Sequence, residues 1–277
     1  MLCRSSIPIL ALVLSGCTAT IDQSTFFPQT ATAPDTALSA PVGYRVEEAM
    51  VDLPGLGVVH SVRLDNPAST TAVIYAGGNM SFVAKQTDHA AALARATSAD
   101  LIFYDYPGRG GTTVPPTIDA AIAFGPAFVQ ALKTRGWIGA GPVYAYGLSF
   151  GGSQAAAIAR TGGMSGLIIE GSAADMASVG RNFIPTMAKP FVKLKVDPEL
   201  ARFDYLGYAV AAKTPVLLIA SEQDEVVRPK NMRDFGDQLR AQGVQVTLVT
   251  VPGTHGTALR QPAALDAITR FTTASGA

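Results

Sequence analysis

The amino-acid sequence predicts an α/β protein with a mostly parallel, doubly wound β-sheet and an antiparallel hairpin at its N-terminal side. Strand-like and helix-like segments alternate through most of the 277 residues. The strand-like segments are continuous apolar runs, as expected for strands that are covered on both faces. Glycine-rich and polar motifs follow several of these runs, at the carboxyl ends of strands where open α/β sheets bind ligands.

Eight segments have the length and composition of strands. The first two are joined by a turn that contains Pro54, Gly55 and Gly57, and together they form the predicted hairpin. The other six are short apolar runs that end in glycine-rich or polar loops. The strands are predicted at residues 45–51, 58–64, 71–75, 100–104, 142–146, 166–170, 215–220 and 244–251.

Helices are predicted between the later strands, at residues 81–97, 116–135, 149–160 and 229–241, and from about residue 262 onward. The dipeptide Gly125-Pro126 is expected to kink or split the second of them, because proline removes a helical hydrogen bond. Gly243 follows the fourth, where helices commonly end. Pro262 suits the first turn of the last helix.

One domain over residues 42–277 accounts for this pattern. Within it, residues 175–213 mix Met, Phe, Pro and Lys without a strand signal, and we interpret them as a short lid insertion over the sheet. Hydrophobic residues make up 48% of the chain and charged residues 15%, which excludes a disordered chain. Basic and acidic residues balance at 21 each without a basic stripe, so nucleic acid is not an expected partner.

The N-terminal residues 1–16 have the pattern of a secretory signal peptide. Arg4 supplies a positive charge, and the apolar run at residues 7–14 is too short to span a bilayer. The run ends in Leu14-Ser15-Gly16-Cys17, which resembles the bacterial lipobox, in which the cysteine is lipidated and becomes the new N-terminus. The alternative is an ordinary signal peptide that contains a cysteine by chance.

Lipidated Cys17 would anchor the protein to the membrane of the bacterial cell envelope, since more than one acyl chain gives stable binding. The residue after it is Thr18 rather than a retention aspartate, which by resemblance favours the periplasmic face of the outer membrane in a Gram-negative host. Residues 17–41 are rich in Thr, Ala, Ser, Gln and Pro and are predicted to be a flexible tether. The only other cysteine is Cys3, so the mature domain is predicted to contain no disulfide and no thiolate metal site.

A serine between two glycines follows the strand at residues 142–146. Gly147-Leu-Ser-Phe-Gly151 fits a turn in which Ser149 is exposed between a strand and an alanine-rich helix. A serine at such a turn can act as a nucleophile when a histidine serves as its base. The motif alone is weak, and a tight glycine-rich turn is the alternative interpretation.

The histidine base and the acid that orients it are expected C-terminal to the serine. Of the three histidines, His60, His89 and His255, only His255 follows Ser149, in the glycine-rich loop after the last strand. Acidic candidates follow the strand at residues 215–220. Asp224 is best placed, four residues beyond the apolar run, and Glu222 is the next choice. Glu225 is expected to be solvated, and so is Glu222 if it is not the acid that orients His255.

The order Ser149, Asp224, His255 resembles that of the α/β-hydrolase fold, whose triad runs serine, acid, histidine. Further stretches resemble the family, over about residues 44–275: YDYPGRGGT at 104–112, LIIEGS at 167–172, and FDYL at 203–206 followed by TPVLLIASEQDEVV at 214–227. The nearest branch is the compact serine hydrolases with an HGN motif, which include protein-depalmitoylating thioesterases and related esterases. The resemblance implies an acyl-enzyme mechanism without metal or organic cofactor.

The resemblance also implies an oxyanion hole built from two backbone N–H groups, those of Asn79 and Phe150. Met80 is the alternative donor if the turn is shifted by one residue. The chain departs from the branch at Gly77, which stands where the motif has histidine and which puts the support of this loop in doubt. By the same resemblance Asp105 braces the neighbouring loop, while Arg109 is expected to be solvated.

The leading hypothesis is a serine hydrolase of carboxylic esters or thioesters, with a small-molecule or lipid-like acyl ester as substrate. An acyltransferase or a peptidase would use the same triad. A non-catalytic lipoprotein that binds a ligand or partner in the envelope is a third possibility, against which the complete triad argues. The lid at residues 175–213 is expected to shape the acyl pocket.

Overall fold

The computed structural model describes residues 17–27, 36–185 and 187–274. The strands are β1 (Cys17–Ile21), β2 (Arg45–Leu53), β3 (Gly57–Asp65), β4 (Ala72–Ala76), β5 (Asp100–Tyr104), β6 (Val143–Leu148), β7 (Gly166–Glu170), β8 (Val192–Val196), β9 (Val216–Ser221) and β10 (Val246–Val251). The α-helices are α1 (Gln23–Phe26), α2 (Thr87–Thr97), α3 (Ile118–Thr134), α4 (Phe150–Ala159), α5 (Met176–Gly180), α6 (Pro198–Ala201), α7 (Tyr205–Ala211), α8 (Pro229–Ala241) and α9 (Pro262–Ala274). The predicted signal peptide, residues 1–16, lies outside the described residues.

Eight strands form the main sheet in the order β10-β9-β7-β6-β4-β5-β3-β2. The six strands from β10 to β5 run parallel, and β3 and β2 pair antiparallel at one edge. Strands β4, β5, β7 and β9 are buried along their whole length, because helices cover both faces of the sheet. The predicted doubly wound sheet with its N-terminal hairpin is therefore confirmed.

Two helix predictions differ from the structure. The segment predicted as one helix at residues 81–97 consists of a 3₁₀ turn, Val83–Lys85, followed by α2. Of the kink or split expected at Gly125-Pro126, the split is wrong, because helix α3 continues through both residues. The kink stays a prediction. Tertiary packing overrides the low helix propensity of glycine and proline here. A Cβ at Gly125 would lie 2.3 Å from the carbonyl oxygen of Ala157, so α3 packs closely against α4 at this point.

The insertion at residues 175–213 contains a strand that the sequence analysis did not predict. Strand β8 pairs in parallel with β1, in a register that runs from Cys17 opposite Val192 to Ile21 opposite Val196. Its sequence VKLKV alternates between half-buried and exposed positions, the pattern of a strand with one covered face. The alternation was visible in the sequence, but its partner strand lies about 175 residues earlier in the chain.

The N-terminal segment, residues 17–27, packs on the domain instead of forming part of the flexible tether predicted over residues 17–41. Ile21 and Phe26 are only 8% and 1% exposed. The Phe26 ring contacts the rings of Phe150 and Phe203 edge-on, at centroid distances of 4.8 and 5.2 Å. Burial of these apolar side chains offsets the entropy lost on ordering the segment. Residues 28–35 of the predicted tether lie outside the described residues.

Within the described ranges, no helix combines the length and the apolar character that crossing a membrane requires.

His60 connects the N-terminal hairpin to the loop after β5. Its Nδ1 lies 2.6 Å from a carboxylate oxygen of buried Asp105, and its Nε2 lies 2.7 Å from Glu48. Carboxylates only accept hydrogen bonds, so both ring nitrogens donate when the ring is protonated. The hydrogen bond that His60 donates to Asp105, with a smaller contribution from Glu48, raises the pKa of His60 above its ordinary value despite partial burial.

This raised pKa makes the stability of the protein depend on pH. The contribution of protonated His60 is fully present below the ordinary histidine pKa of about 6.5 and is lost as pH rises through the higher folded-state pKa. We expect His60→Gln to lower the free energy of unfolding by roughly 1.5–3 kcal/mol near pH 6, the range for hydrogen bonds to charged groups. The difference from the wild type shrinks toward pH 9, as measured by urea unfolding. Glu48→Gln, which removes only the exposed partner, serves as the control and keeps most of the pH dependence; equal differences for His60→Gln at both pH values would contradict the assignment.

Candidate active site

Ser149 occupies a strained turn between β6 and α4. Its backbone has φ of 56° and ψ of −121°, a conformation that non-glycine residues rarely adopt. The flanking glycines allow the chain to pass closely: a Cβ on Gly147 would lie 2.1 Å from the carbonyl oxygen of Gly151, and a Cβ on Gly151 would lie 2.0 Å from that of Ala76. The turn therefore has the geometry expected from the glycine–serine motif.

His255 lies in the loop after β10 and contacts both other predicted members of the triad. Its Nε2 is 2.9 Å from Ser149 Oγ, and its Nδ1 is 2.7 Å from Asp224 Oδ2. Because a carboxylate accepts but does not donate, Nδ1 carries the hydrogen and Nε2 accepts from the serine hydroxyl. The structure thus brings Ser149, His255 and Asp224 into one hydrogen-bonded chain.

Asp224 is fixed by its own backbone neighbours. Its Oδ1 accepts hydrogen bonds from the N–H groups of Val226 and Val227, at 2.9 and 2.8 Å, and its side chain is only 1% exposed. Glu222 and Glu225, the other two acidic candidates, are exposed. Among the three carboxylates, only Asp224 contacts His255 in this structure.

A fourth carboxylate lies behind the site and was not predicted. Glu170, at the end of β7, accepts a hydrogen bond from the Tyr146 hydroxyl at 2.6 Å. Its other oxygen accepts from the N–H of Ala258 at 3.1 Å, in the turn that follows His255. Burial raises the pKa of Glu170. The carboxyl group therefore ties the histidine loop to the centre of the sheet. The sequence signals were a charged residue at the end of a buried strand and its place in the family-like stretch LIIEGS.

The loop after β4 lies beside the serine. Asn79 lines the same pocket as Ser149 and Phe150, and Phe150 is the first residue of α4. Backbone N–H groups in the first turn of a helix have no partner within that helix, which makes this end suited to an anion. The Met80 side chain is exposed and does not line the pocket.

The same loop is supported by groups other than the missing histidine. The Tyr106 hydroxyl donates to the carbonyl oxygen of Gly77 at 2.5 Å, and Asp105 accepts from the N–H of Val83 at 2.9 Å. A Cβ at Gly77 would lie 2.1 Å from Ser81 Oγ, so a histidine cannot replace this glycine without a shift of the loop. Tyrosine and aspartate from the loop after β5 therefore hold the turn in place.

Arg109 adds to this support and is not the solvated arginine expected from the sequence. It is 3% exposed, its Nη1 donates to the carbonyl oxygen of Ser81 at 3.1 Å, and its guanidinium lies over the rings of Phe82 and Tyr106. Desolvation lowers the pKa of Arg109, although the guanidinium remains charged at neutral pH. Sequence reasoning missed it because only the folded loop buries the side chain.

Ser149 lines a pocket with a volume of about 490 Å³. This volume is within the usual range for sites that bind small ligands. The described residues that line it include no Asp, Glu, Lys or Arg. They come from the site itself, from the lid and from the N-terminal strand: Ala19, Thr20, Ile21, Asn79, Ser149, Phe150, Ser172, Ala173, Met176, Val179, Gly180, Phe183, Ile184, Leu194, Tyr205, Val226 and Val227. In the part of the chain that the structure describes, no group of three or more His, Cys, Asp or Glu residues could hold a metal ion.

Three solved structures that resemble this chain are described as esterases. The Pyrococcus furiosus esterase Pf2001 has a TM-score of 0.68 and 16% identity, and the alignment covers 90% of this chain and 100% of that one. A Pyrobaculum calidifontis esterase has a TM-score of 0.64 and 16% identity, over 86% and 88% of the two chains. An esterase/lipase from an uncultured bacterium has a TM-score of 0.61 and 20% identity, over 86% of each chain.

At these low identities the structures establish the fold alone. A separate comparison with curated proteins found no match to the sequence. A comparison with protein families is more specific. The profile described as the prolyl oligopeptidase family matches residues 126–274, more than half of the chain, and this range includes Ser149, Asp224 and His255. The chain therefore belongs to the prolyl oligopeptidase family and is a serine hydrolase of the α/β-hydrolase fold.

Proposed function

We propose that the protein hydrolyses carboxylic esters or thioesters through an acyl-enzyme intermediate on Ser149. One observation carries the proposal: Ser149, His255 and Asp224 form an unbroken hydrogen-bonded chain that opens into an apolar pocket. A serine hydroxyl is a weak nucleophile at neutral pH, and this arrangement supplies the base that it needs.

In the proposed mechanism, the Ser149 oxygen attacks the carbonyl carbon of the substrate while its proton moves to Nε2 of His255. Asp224 holds the tautomer of the imidazole and stabilises the imidazolium. His255 then gives the proton to the leaving alcohol or thiol, which departs and leaves the acyl group on Ser149. A water molecule, deprotonated by His255, attacks the acyl-enzyme and releases the carboxylic acid.

The oxyanion formed in both steps is proposed to bind the backbone N–H groups of Phe150 and Asn79. The support is their position beside Ser149 and the dipole of α4, whose N-terminus begins at Phe150. Such donors are worth about 10²–10³-fold in kcat in other acyl-transfer enzymes. Support of the loop by Tyr106 and Arg109 makes the histidine of the HGN motif unnecessary for this role.

Peptide hydrolysis is the second candidate, because the family that matches residues 126–274 is described as prolyl oligopeptidase. The apolar pocket, which has no charged side chain among its described lining residues, favours esters. Acyl transfer would use the same three side chains, and it differs only in the acceptor that attacks the acyl-enzyme.

We further propose that the protein is anchored to the cell envelope by lipid on Cys17, at the periplasmic face of the outer membrane in a Gram-negative host. The support is the lipobox-like Leu14-Ser15-Gly16-Cys17 after a short apolar run. In the structure Cys17 begins β1, close in the chain to the pocket residues Ala19 and Ile21. An anchored enzyme would therefore hold its pocket near the membrane surface.

Ser149→Ala should lower kcat/KM for p-nitrophenyl butyrate by about 10⁴-fold or more, because the nucleophile is lost. It should also abolish labelling by a fluorophosphonate. Ser165→Ala, at the opposite end of the parallel strands, serves as the control and should keep both activities. A chromogenic prolyl peptide assayed in parallel separates the two candidates: a wild type that cleaves the peptide and not the ester would reject the esterase proposal.

Asp224→Asn should lower kcat/KM for the same ester by about 10³–10⁴-fold, because an asparagine amide favours the wrong tautomer of His255. Glu222→Gln, two residues away and exposed, is the matched control and should stay within about twofold of the wild type. Steady-state kinetics decides between the two acids. A large loss in Glu222→Gln with a small loss in Asp224→Asn would reverse the assignment.

Cys17→Ser should move the protein from the membrane fraction to the soluble fraction of a bacterial expression host and abolish incorporation of radiolabelled palmitate, because serine cannot carry the thioether-linked lipid. Cys3→Ser, within the predicted signal peptide, is the control and should remain lipidated. Palmitate incorporation that persists in Cys17→Ser would contradict anchoring at this residue.

A further inference from the structure

We propose that the N-terminal segment, residues 17–27, is a specificity element of the enzyme: β1 forms one wall of the acyl pocket, and Phe26 supports the turn that carries the nucleophile. This inference rests on the proposed hydrolysis of esters at Ser149 and adds the class of acyl group that the site accepts. The segment acts through the shape of the pocket and takes no part in the chemistry.

Strand β1 lies along the pocket beside Ser149. Ala19 and Ile21, which share one face of the strand, line the same pocket as Ser149. The lid continues this wall, because Leu194 of β8 pairs with Ala19 and also lines the pocket. Val179 of α5 lines the pocket as well. An acyl group attached to Ser149 would therefore lie against a wall that the lid shares with a strand from the beginning of the chain.

Strand β1 is held in place by backbone hydrogen bonds to the lid. It pairs with β8 over its full five residues, and the Ile21 carbonyl oxygen accepts a further hydrogen bond from the N–H of Asp197 at 2.9 Å. A Cβ on Gly180 would lie 2.5 Å from Cδ1 of Ile21, so the lid helix α5 packs closely against the strand. Strand β1 is therefore an integral part of the lid structure.

Phe26 contacts the residue that follows the nucleophile. Its ring packs edge-on against the ring of Phe150, the residue after the nucleophile, with planes at 84°. It also packs against Phe203, in the connection between α6 and α7. Phe26 is therefore a positioning residue, which we expect to act on the reaction through Phe150.

The chemistry of the wall defines the substrate class. Ala19, Ile21, Val179 and Leu194 present hydrocarbon, and the described lining residues carry no formal charge. Burying a charged group without a partner is costly, so the pocket selects against acyl groups with an ionised end. The structure assigns an uncharged, apolar acyl group longer than acetyl to this site.

Filling the pocket from β1 tests the inference in the full-length protein. Ala19→Trp places an indole in the wall, while Thr18→Trp places the same group on the adjacent, exposed position, which does not line the pocket. The measured quantity is the ratio of kcat/KM for p-nitrophenyl octanoate to that for p-nitrophenyl acetate. A ratio cancels any loss of active enzyme, and Ala19→Leu provides a smaller change should the tryptophan variant fail to fold.

We expect the octanoate-to-acetate ratio to fall at least about tenfold in Ala19→Trp and by less in Ala19→Leu, with Thr18→Trp within about twofold of the wild type. A ratio in both Ala19 variants equal to that of Thr18→Trp, in a wild type that is active and labelled at Ser149, overturns the inference alone. A wild type that hydrolyses neither ester and takes no fluorophosphonate label overturns the proposed function and this inference together.

Discussion

The positive φ of Ser149 is the constraint on which the rest of the site depends. A non-glycine residue in such a conformation costs about 1–3 kcal/mol, and it persists only where the surroundings determine it. Here β6 lies at the centre of the parallel strands and α4 packs over it, so both ends of the turn are held. Gly147 and Gly151 are required because a Cβ at either position would overlap neighbouring backbone atoms. The strain exposes the hydroxyl to His255 and places the start of α4 beside it.

Buried polar groups around this turn hold the loops that meet there. Glu170 ties the turn after His255 to Tyr146 of β6. Asp105 connects the loop after β4 to the N-terminal hairpin through His60. Such groups are costly to bury without partners, and each of these has at least two hydrogen bonds. The carboxylates therefore fix the relative position of three loops that apolar packing alone would leave adjustable.

The lid and the N-terminal segment form a second structural unit over the turn. Neither has a sheet partner of its own in the main sheet, so β1 and β8 satisfy each other's backbone hydrogen bonds. Phe26 then joins this unit to the domain through Phe150 and Phe203. The pocket thus depends on two segments that are about 150 residues or more apart in the chain.

The sequence by itself determined the alternation of strands and helices, the parallel sheet and the order of Ser149, Asp224 and His255, because apolar periodicity and local motifs are written in contiguous residues. Tertiary structure alone decided that Asp224 rather than Glu222 meets the histidine and that Arg109 is buried. It also decided that β1 pairs with the lid instead of remaining part of a tether. These outcomes depend on contacts between distant segments, whose energies come from burial and shared hydrogen bonds and leave no local pattern to recognise.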